Sequence, residues 1–79
     1  MTQFQESLVK CVERSPGLSD RQLSEMLLGK GAHPSRVNQE ARLLVSRGIL
    51  RRGRREDGRI GNYPVRRNLL GKLLRLVPK

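Results

Sequence analysis

Apolar residues recur every three or four positions near the start of the chain, which is the spacing of one face of an α-helix. Over residues 3–15 this face consists of Phe4, Leu8, Cys11 and Val12. Gln5 follows Thr2 by three residues, which is the spacing of a helix-starting capping box. The Ser-Pro-Gly tripeptide at 15–17 favours a stop. The pattern therefore predicts a first helix over about residues 3–15.

A second helix is predicted to begin after Ser19, because Gln22 stands at the spacing of another capping box. Leu18 before the cap and Leu23 within the helix are placed to form a hydrophobic staple. Gly29 is well placed to end this short helix. The side chains predicted to point inward are Leu23, Met26 and Leu27.

The third predicted helix follows a turn at residues 30–33 and begins at Pro34, whose missing N–H costs nothing in a first turn. Gly48 is placed to end it. Its apolar stripe consists of Val37, Ala41, Leu44 and Val45. Its polar side carries Ser35, Arg36, Asn38, Gln39 and Arg42.

The segments at 49–54 and 60–65 have the pattern of two short strands. Between them, Asp57-Gly58 favours a tight hairpin turn. Pro64 has no N–H to donate, so the second strand is predicted to end, or to lie at an edge, near that residue.

Residues 67–79 have the pattern of a last amphipathic helix, with Asn68 as its cap. Its apolar stripe consists of Leu69, Leu70, Leu73, Leu74 and Val77. The stripe is wider than packing on so small a core requires, which makes a homodimer through this helix a hypothesis. The alternatives are packing on the first helix and a cationic helix lying on a membrane surface, and the short length of the segment and Gly71 argue against the second. The chain is thus divided into a domain at 1–66 and a helix at 67–79.

The net charge of +10 comes entirely from the second half of this 79-residue chain. Residues 1–33 carry four basic and four acidic side chains, whereas residues 34–79 carry thirteen basic and three acidic ones. Much of this charge surrounds the predicted hairpin, in Arg47, Arg51, Arg52, Arg54, Arg55, Arg59, Arg66 and Arg67. A one-sided basic surface is typical of proteins that bind a polyanion.

Composition argues against several other functions. One cysteine and one histidine provide neither a disulfide nor a clustered metal site, and Cys11 and His33 are the sole candidates for a nucleophile and its base. We therefore expect no enzyme activity, no catalytic residues, no metal and no cofactor. Phe4 and Tyr63 are the only aromatic residues, too few for a stacking surface for single-stranded nucleic acid. With no signal peptide and no membrane-spanning run in the sequence, we expect a cytoplasmic protein without a membrane partner.

Three helices followed by an arginine-rich hairpin resemble a winged helix-turn-helix domain. The residues that carry this resemblance lie between Leu18 and Val65, about 60% of the chain. Their apolar spacing resembles the third helix and wing entry of small bacterial winged-helix regulators, in Val37, Ala41, Leu44, Gly48, Ile49 and Leu50. The resemblance implies an α+β, mostly helical fold, with a three-helix core, a two-stranded wing and, here, an extra C-terminal helix. It also implies binding to double-stranded DNA and transcription regulation.

The polar side of the third helix has side chains that suit base edges in the major groove. Asn38 and Gln39 can each bond to adenine, and Arg36 and Arg42 can each bond to guanine. Ser35 and the N–H groups after Pro34 suit a phosphate. The wing arginines are expected on the DNA backbone or in a narrow minor groove, namely Arg51, Arg52, Arg54, Arg55 and Arg59. The alternative is a winged-helix module that binds protein or RNA without sequence-specific DNA binding.

Overall fold

The computed structural model describes residues 1–65, so the predicted helix at 67–79 and the homodimer assigned to it lie outside the described residues. The fold of the described part is α+β and mostly helical, and it is compatible with a winged helix. Its elements are α1 (Gln3–Arg14), α2 (Asp20–Leu28), α3 (Ser35–Ser46), β1 (Leu50–Arg54) and β2 (Ile60–Pro64).

Both predicted capping boxes are present. The side chains of Thr2 and Ser19 accept the N–H groups of Gln5 and Gln22, and the two glutamine side chains accept the cap N–H groups in return. At α3 the prediction was wrong by one residue, because Pro34 is the cap and the helix begins at the next residue. Helix α1 also ends at residue 14 rather than 15, and Gly29 ends α2 as predicted.

An aliphatic core joins the three helices to the first strand. Seven hydrophobic residues are at most 1% exposed, namely Leu8, Val12, Leu23, Val37, Ala41, Leu44 and Leu50. The inward assignment of Met26 was wrong, since this residue is 57% exposed. The buried face of α2 lies between Leu23 and Ser24. One turn later Leu27 returns to that direction, whereas Met26 is rotated away from it by about 110°.

The two strands pair antiparallel, with Arg52 opposite Asn62 and Arg54 opposite Ile60. The turn between them is one residue longer than a two-residue turn. The N–H of Arg55 donates to the carbonyl of Arg59 at 2.7 Å, which leaves residues 56–58 as the loop, and within it the N–H of Gly58 donates to the carbonyl of Arg55 at 3.0 Å. Gly58 has a φ of +87°, the left-handed conformation that closes three-residue hairpin loops. The Asp-Gly pair thus forms the end of this turn.

A single residue pair extends the sheet on the other side of β2. The N–H of Asn62 donates to the carbonyl of Leu18 at 2.9 Å, and the N–H of Gly17 donates to the carbonyl of Asn62 at 2.8 Å. Strand β2 therefore lies between β1 and the segment that connects α1 to α2. Pro64 is the last residue of its strand, as its missing donor predicts.

Gly61 is the position where this close approach leaves no room for a side chain. A Cβ atom there would lie 2.7 Å from the carbonyl oxygen of Gly17. Replacing Gly61 by alanine should therefore lower the free energy of unfolding by about 1–3 kcal/mol. Gly53, its partner in β1, is the matched control, because a Cβ there would meet only side-chain atoms at 3.7 Å or more. Denaturant unfolding of both variants measures the difference, and equal losses would contradict this packing.

Candidate nucleic-acid interface

A groove of about 740 Å³ lies between the first half of α3, the start of α2 and the tip of the hairpin. Ten of its thirteen lining residues are polar or charged, and the four arginines among them are Arg21, Arg42, Arg52 and Arg59. Six of the sequence-predicted site residues line it, namely Ser35, Asn38, Gln39, Arg42, Arg52 and Arg59. The groove thus brings the polar side of α3 together with the hairpin, although the two are separate in the sequence.

The α3 wall of the groove follows from helical spacing. Positions 35, 38, 39 and 42 fall on one face, while Val37, Ala41 and Leu44 are buried on the other. Gln39 and Arg42 are exposed, so their polar ends are free to reach a ligand. At the start of the helix, the N–H of Ser35 donates to Nδ1 of His33 at 3.1 Å, so that donor is used internally.

Arg36 does not belong to this wall. Its guanidinium carbon lies 4.1 Å from the centroid of the Phe4 ring, on the side of α3 that faces α1. Beside it, Glu40 accepts a 2.8 Å hydrogen bond from the buried Gln5 side chain. Because Arg36 is turned by about 100° from Ser35, it cannot share the direction of the groove residues. The structure therefore separates Arg36 from the other predicted base-contacting side chains.

The floor of the groove is organised around the carboxylate of Asp20, the first residue of α2. Both of its oxygens accept hydrogen bonds from the Arg52 guanidinium, at 3.1 and 3.0 Å. Asn38 and Asn62 each donate a side-chain N–H to it at 2.9 Å. This cluster joins α2, α3 and both strands, and we call Asp20, Asn38, Arg52 and Asn62 the polar hub. The polar hub fixes the position of the hairpin relative to α3.

The polar hub lowers the pKa of Asp20. Burial alone would raise this pKa, but hydrogen bonds from Arg52, Asn38 and Asn62 and the positive charge of Arg52 outweigh it. Asp20 is therefore a carboxylate at neutral pH. It is also placed where the positive end of the α2 dipole favours a negative charge.

Arg52, which was predicted to bind the DNA backbone or the minor groove, is hydrogen-bonded within the protein. Its side chain is 19% exposed, and its guanidinium bonds to Asp20 in bidentate geometry and to Oδ1 of Asn62 at 3.2 Å. A guanidinium already neutralised by a carboxylate contributes little to a phosphate contact. Arg52 thus holds the hairpin in place.

Arg55 is also tied to the protein. It donates to the carbonyl of Gly17 at 3.2 Å and to the side chain of Gln22 at 2.9 Å, and it pairs with Asp57 at 2.6 Å. The Arg59 N–H, then the charges of Arg55 and Arg59, hold the pKa of Asp57 below its usual value. The exposed hairpin arginines are Arg51, Arg54 and Arg59. Arg51 lies over the Tyr63 ring at 4.6 Å, and Arg54 donates to the carbonyl of Gly58 at 3.3 Å.

Seven groove residues were not among the predicted site residues, namely Ser19, Asp20, Arg21, His33, Pro34, Gly58 and Ile60. Asp20 and Arg21 directly follow the cap of α2. The helix dipole alone favours an acidic residue there, so Asp20 gave no sign of a partner elsewhere in the fold. Only the packing of α2 against α3 brings them to the groove. Ile60 is 38% exposed, and its place at the start of a strand gave no sign that it lines a polar surface.

Groups of metal-ligating side chains and membrane-spanning helices are absent from the part of the chain that the structure describes. Within residues 1–65, no group of three or more histidine, cysteine, aspartate or glutamate side chains could hold a metal ion. Cys11 is half-buried against the aliphatic core. The helices described are all too short or too polar to cross a membrane.

Comparisons of this chain with protein-family models, with curated proteins and with solved structures find no match.

Proposed function

We propose that this protein binds double-stranded DNA, with α3 in the major groove and the hairpin against the backbone or the minor groove. The observation that carries the proposal is the groove, which places exposed polar side chains of α3 beside an arginine of the hairpin. A helix that presents such side chains near its N-terminus has the geometry of a major-groove reader. The polarised charge of the chain supplies the attraction.

The direct contacts are assigned to the side chains that remain accessible. Gln39 and Arg42 read base edges, and Ser35 contacts a phosphate. The exposed hairpin arginines, Arg51, Arg54 and Arg59, bind phosphates or the minor groove. Arg52 and Arg55 position the hairpin through their internal hydrogen bonds.

Transcription regulation is the biological role that we propose for this binding. The support is the resemblance of residues 18–65 to small bacterial winged-helix regulators, together with the matching order of three helices and a hairpin.

Competition between duplexes of DNA and RNA tests the proposal. We expect the full chain to bind a labelled 20-base-pair DNA duplex at least tenfold more tightly than RNA of the same sequence, because the narrow major groove of A-form RNA does not admit α3. Fluorescence anisotropy at several salt concentrations gives both affinities. A basic protein without this geometry would respond to charge alone, so equal affinities at every salt concentration would contradict the proposal and favour the RNA-binding alternative.

A further inference from the structure

The amide of Asn38 is held in one orientation by the polar hub. Its Nδ2 donates to Oδ2 of Asp20 at 2.9 Å, and the same carboxylate oxygen is held by Arg52 at 3.0 Å. A carboxylate accepts hydrogen bonds and cannot donate them when ionised. Turning the amide over would place two oxygens against each other, so the nitrogen must face Asp20.

The amide oxygen of Asn38 is consequently held away from the Asp20 carboxylate. No hydrogen bond to this oxygen occurs among the described residues, which contain no buried side-chain oxygen or nitrogen without a partner. Oδ1 is therefore not fully buried. Asn38 lines the groove, and it lies on the same helix face as Gln39 and Arg42.

We infer that Asn38 is a specificity-determining residue that presents an acceptor to DNA, and that Asp20 is the positioning residue that sets this polarity. The inference rests on the proposed function. In the major groove only adenine and cytosine carry an exocyclic amino group, whereas guanine and thymine present acceptors at the equivalent place. At the base pair that Asn38 reads, the base facing Oδ1 is therefore adenine or cytosine.

Asn38 alone would not explain the selection of a base with an amino group, whereas Asn38 held by Asp20 does. A free asparagine can turn its amide over and offer either a donor or an acceptor, so it discriminates poorly between amino and carbonyl groups. Fixing the amide keeps the oxygen where a turned-over amide would place its nitrogen, and opposing that oxygen to guanine or thymine leaves two lone pairs facing each other. The polar hub thus joins placement of the hairpin to base selection.

Selection of bound duplexes from a random pool tests the inference with the parent chain and Asn38→Ala. The position at which Asn38→Ala relaxes the selected sequence is the position that Asn38 reads. That base pair contains adenine or cytosine on one of its strands. Replacing this base by an analogue without the amino group should weaken parent binding about tenfold and leave Asn38→Ala binding unchanged.

The other possible results distinguish a failure of this inference from a failure of the proposed function. An analogue that does not weaken parent binding, an analogue effect that is equal in both proteins, or a preference that Asn38→Ala does not alter would overturn the inference while DNA binding stands. A parent chain that binds no duplex would overturn the proposed function itself. These measurements need no change at Asp20, so they do not depend on the stability of an Asp20 variant.

The role of Asp20 is tested by Asp20→Asn beside Asp57→Asn, which changes the net charge equally but lies at the hairpin turn, where Asp57 pairs with Arg55. In Asp20→Asn the amide of Asn38 can turn over, so the amino-base preference should fall about tenfold. Asp57→Asn should retain it. Circular dichroism establishes the temperature at which each variant is folded for the assay. A retained preference in folded Asp20→Asn would remove Asp20 from base selection.

Discussion

Replacing Arg51, Arg54 and Arg59 together by alanine is expected to weaken binding to every duplex by roughly two to three orders of magnitude in ~0.1 M salt. These side chains are the exposed arginines of the hairpin. Each phosphate contact that is lost also removes the release of about one counterion. The plot of log affinity against log salt concentration should therefore become less steep by about three.

The matched control is a triple alanine variant at Lys10, Arg14 and Lys30. These residues are exposed, and their replacement removes the same charge from α1 and from the turn before α3. We expect this variant to bind with nearly the parent salt slope, because contacts rather than total charge set the slope. If both triple variants lose affinity equally, the hairpin has no special role and the binding is a response to net charge.

Replacing Asp20 by asparagine is expected to lower the free energy of unfolding by about 2–3 kcal/mol at neutral pH. The substitution leaves the Arg52 guanidinium mostly buried without its carboxylate, and it deprives the buried Asn62 amide of a charged acceptor. The packing of the hairpin on α2 shields both groups from water, so water cannot replace the hydrogen bonds that they lose.

The pH dependence of this effect has a definite sign. The pKa of Asp20 is lower in the folded protein than the ordinary value of 3.8. Its stabilising contribution is thus present in full above the unfolded pKa and is lost as the pH falls through the lower, folded pKa. The difference in the free energy of unfolding between the parent and Asp20→Asn should be constant near neutral pH. It should become smaller as the pH falls below 3.8, the ordinary pKa of an aspartate.

Urea unfolding of the parent and of Asp20→Asn, from neutral pH to below pH 3.8, measures the loss in free energy of unfolding and its dependence on pH. Glu13→Gln is the control, because Glu13 is an exposed carboxylate on α1 and its loss should cost no more than about 0.5 kcal/mol. If Asp20→Asn and Glu13→Gln have the same small effect at every pH, the polar hub does not hold the hairpin in place.

Local signals predicted the helices and the hairpin well. Thr2 with Gln5 and Ser19 with Gln22 set the helix starts through contacts three residues apart, which a sequence displays directly. The backbone pairing of Leu18 with Asn62 was not predicted, because a single bridging pair produces no alternation of apolar and polar residues. The face of α3 could likewise be read from spacing, since the buried residues define the exposed ones.

The sequence did not allow a similar prediction of which site residues remain accessible to a ligand. Arg52 and Arg59 have the same chemistry and lie in the same hairpin, yet one is engaged by a carboxylate 32 positions earlier in the chain. Arg36 was placed with the base-reading side chains by its position in α3, but the neighbouring α1 supplies an aromatic ring that holds it elsewhere. Partners distant in sequence decide which charges remain free for DNA.

We propose that duplex DNA binds in the groove between α3 and the hairpin. Titration of the ¹⁵N-labelled full chain with duplex DNA tests it most directly, because each backbone amide reports its own surroundings. We predict that the largest chemical-shift changes occur along the groove, at Ser35, Gln39, Arg42, Gly58 and Arg59, while the exposed side of α1 at Glu6 and Glu13 changes little. Largest changes on α1, with α3 and the hairpin tip unaffected, would contradict the account.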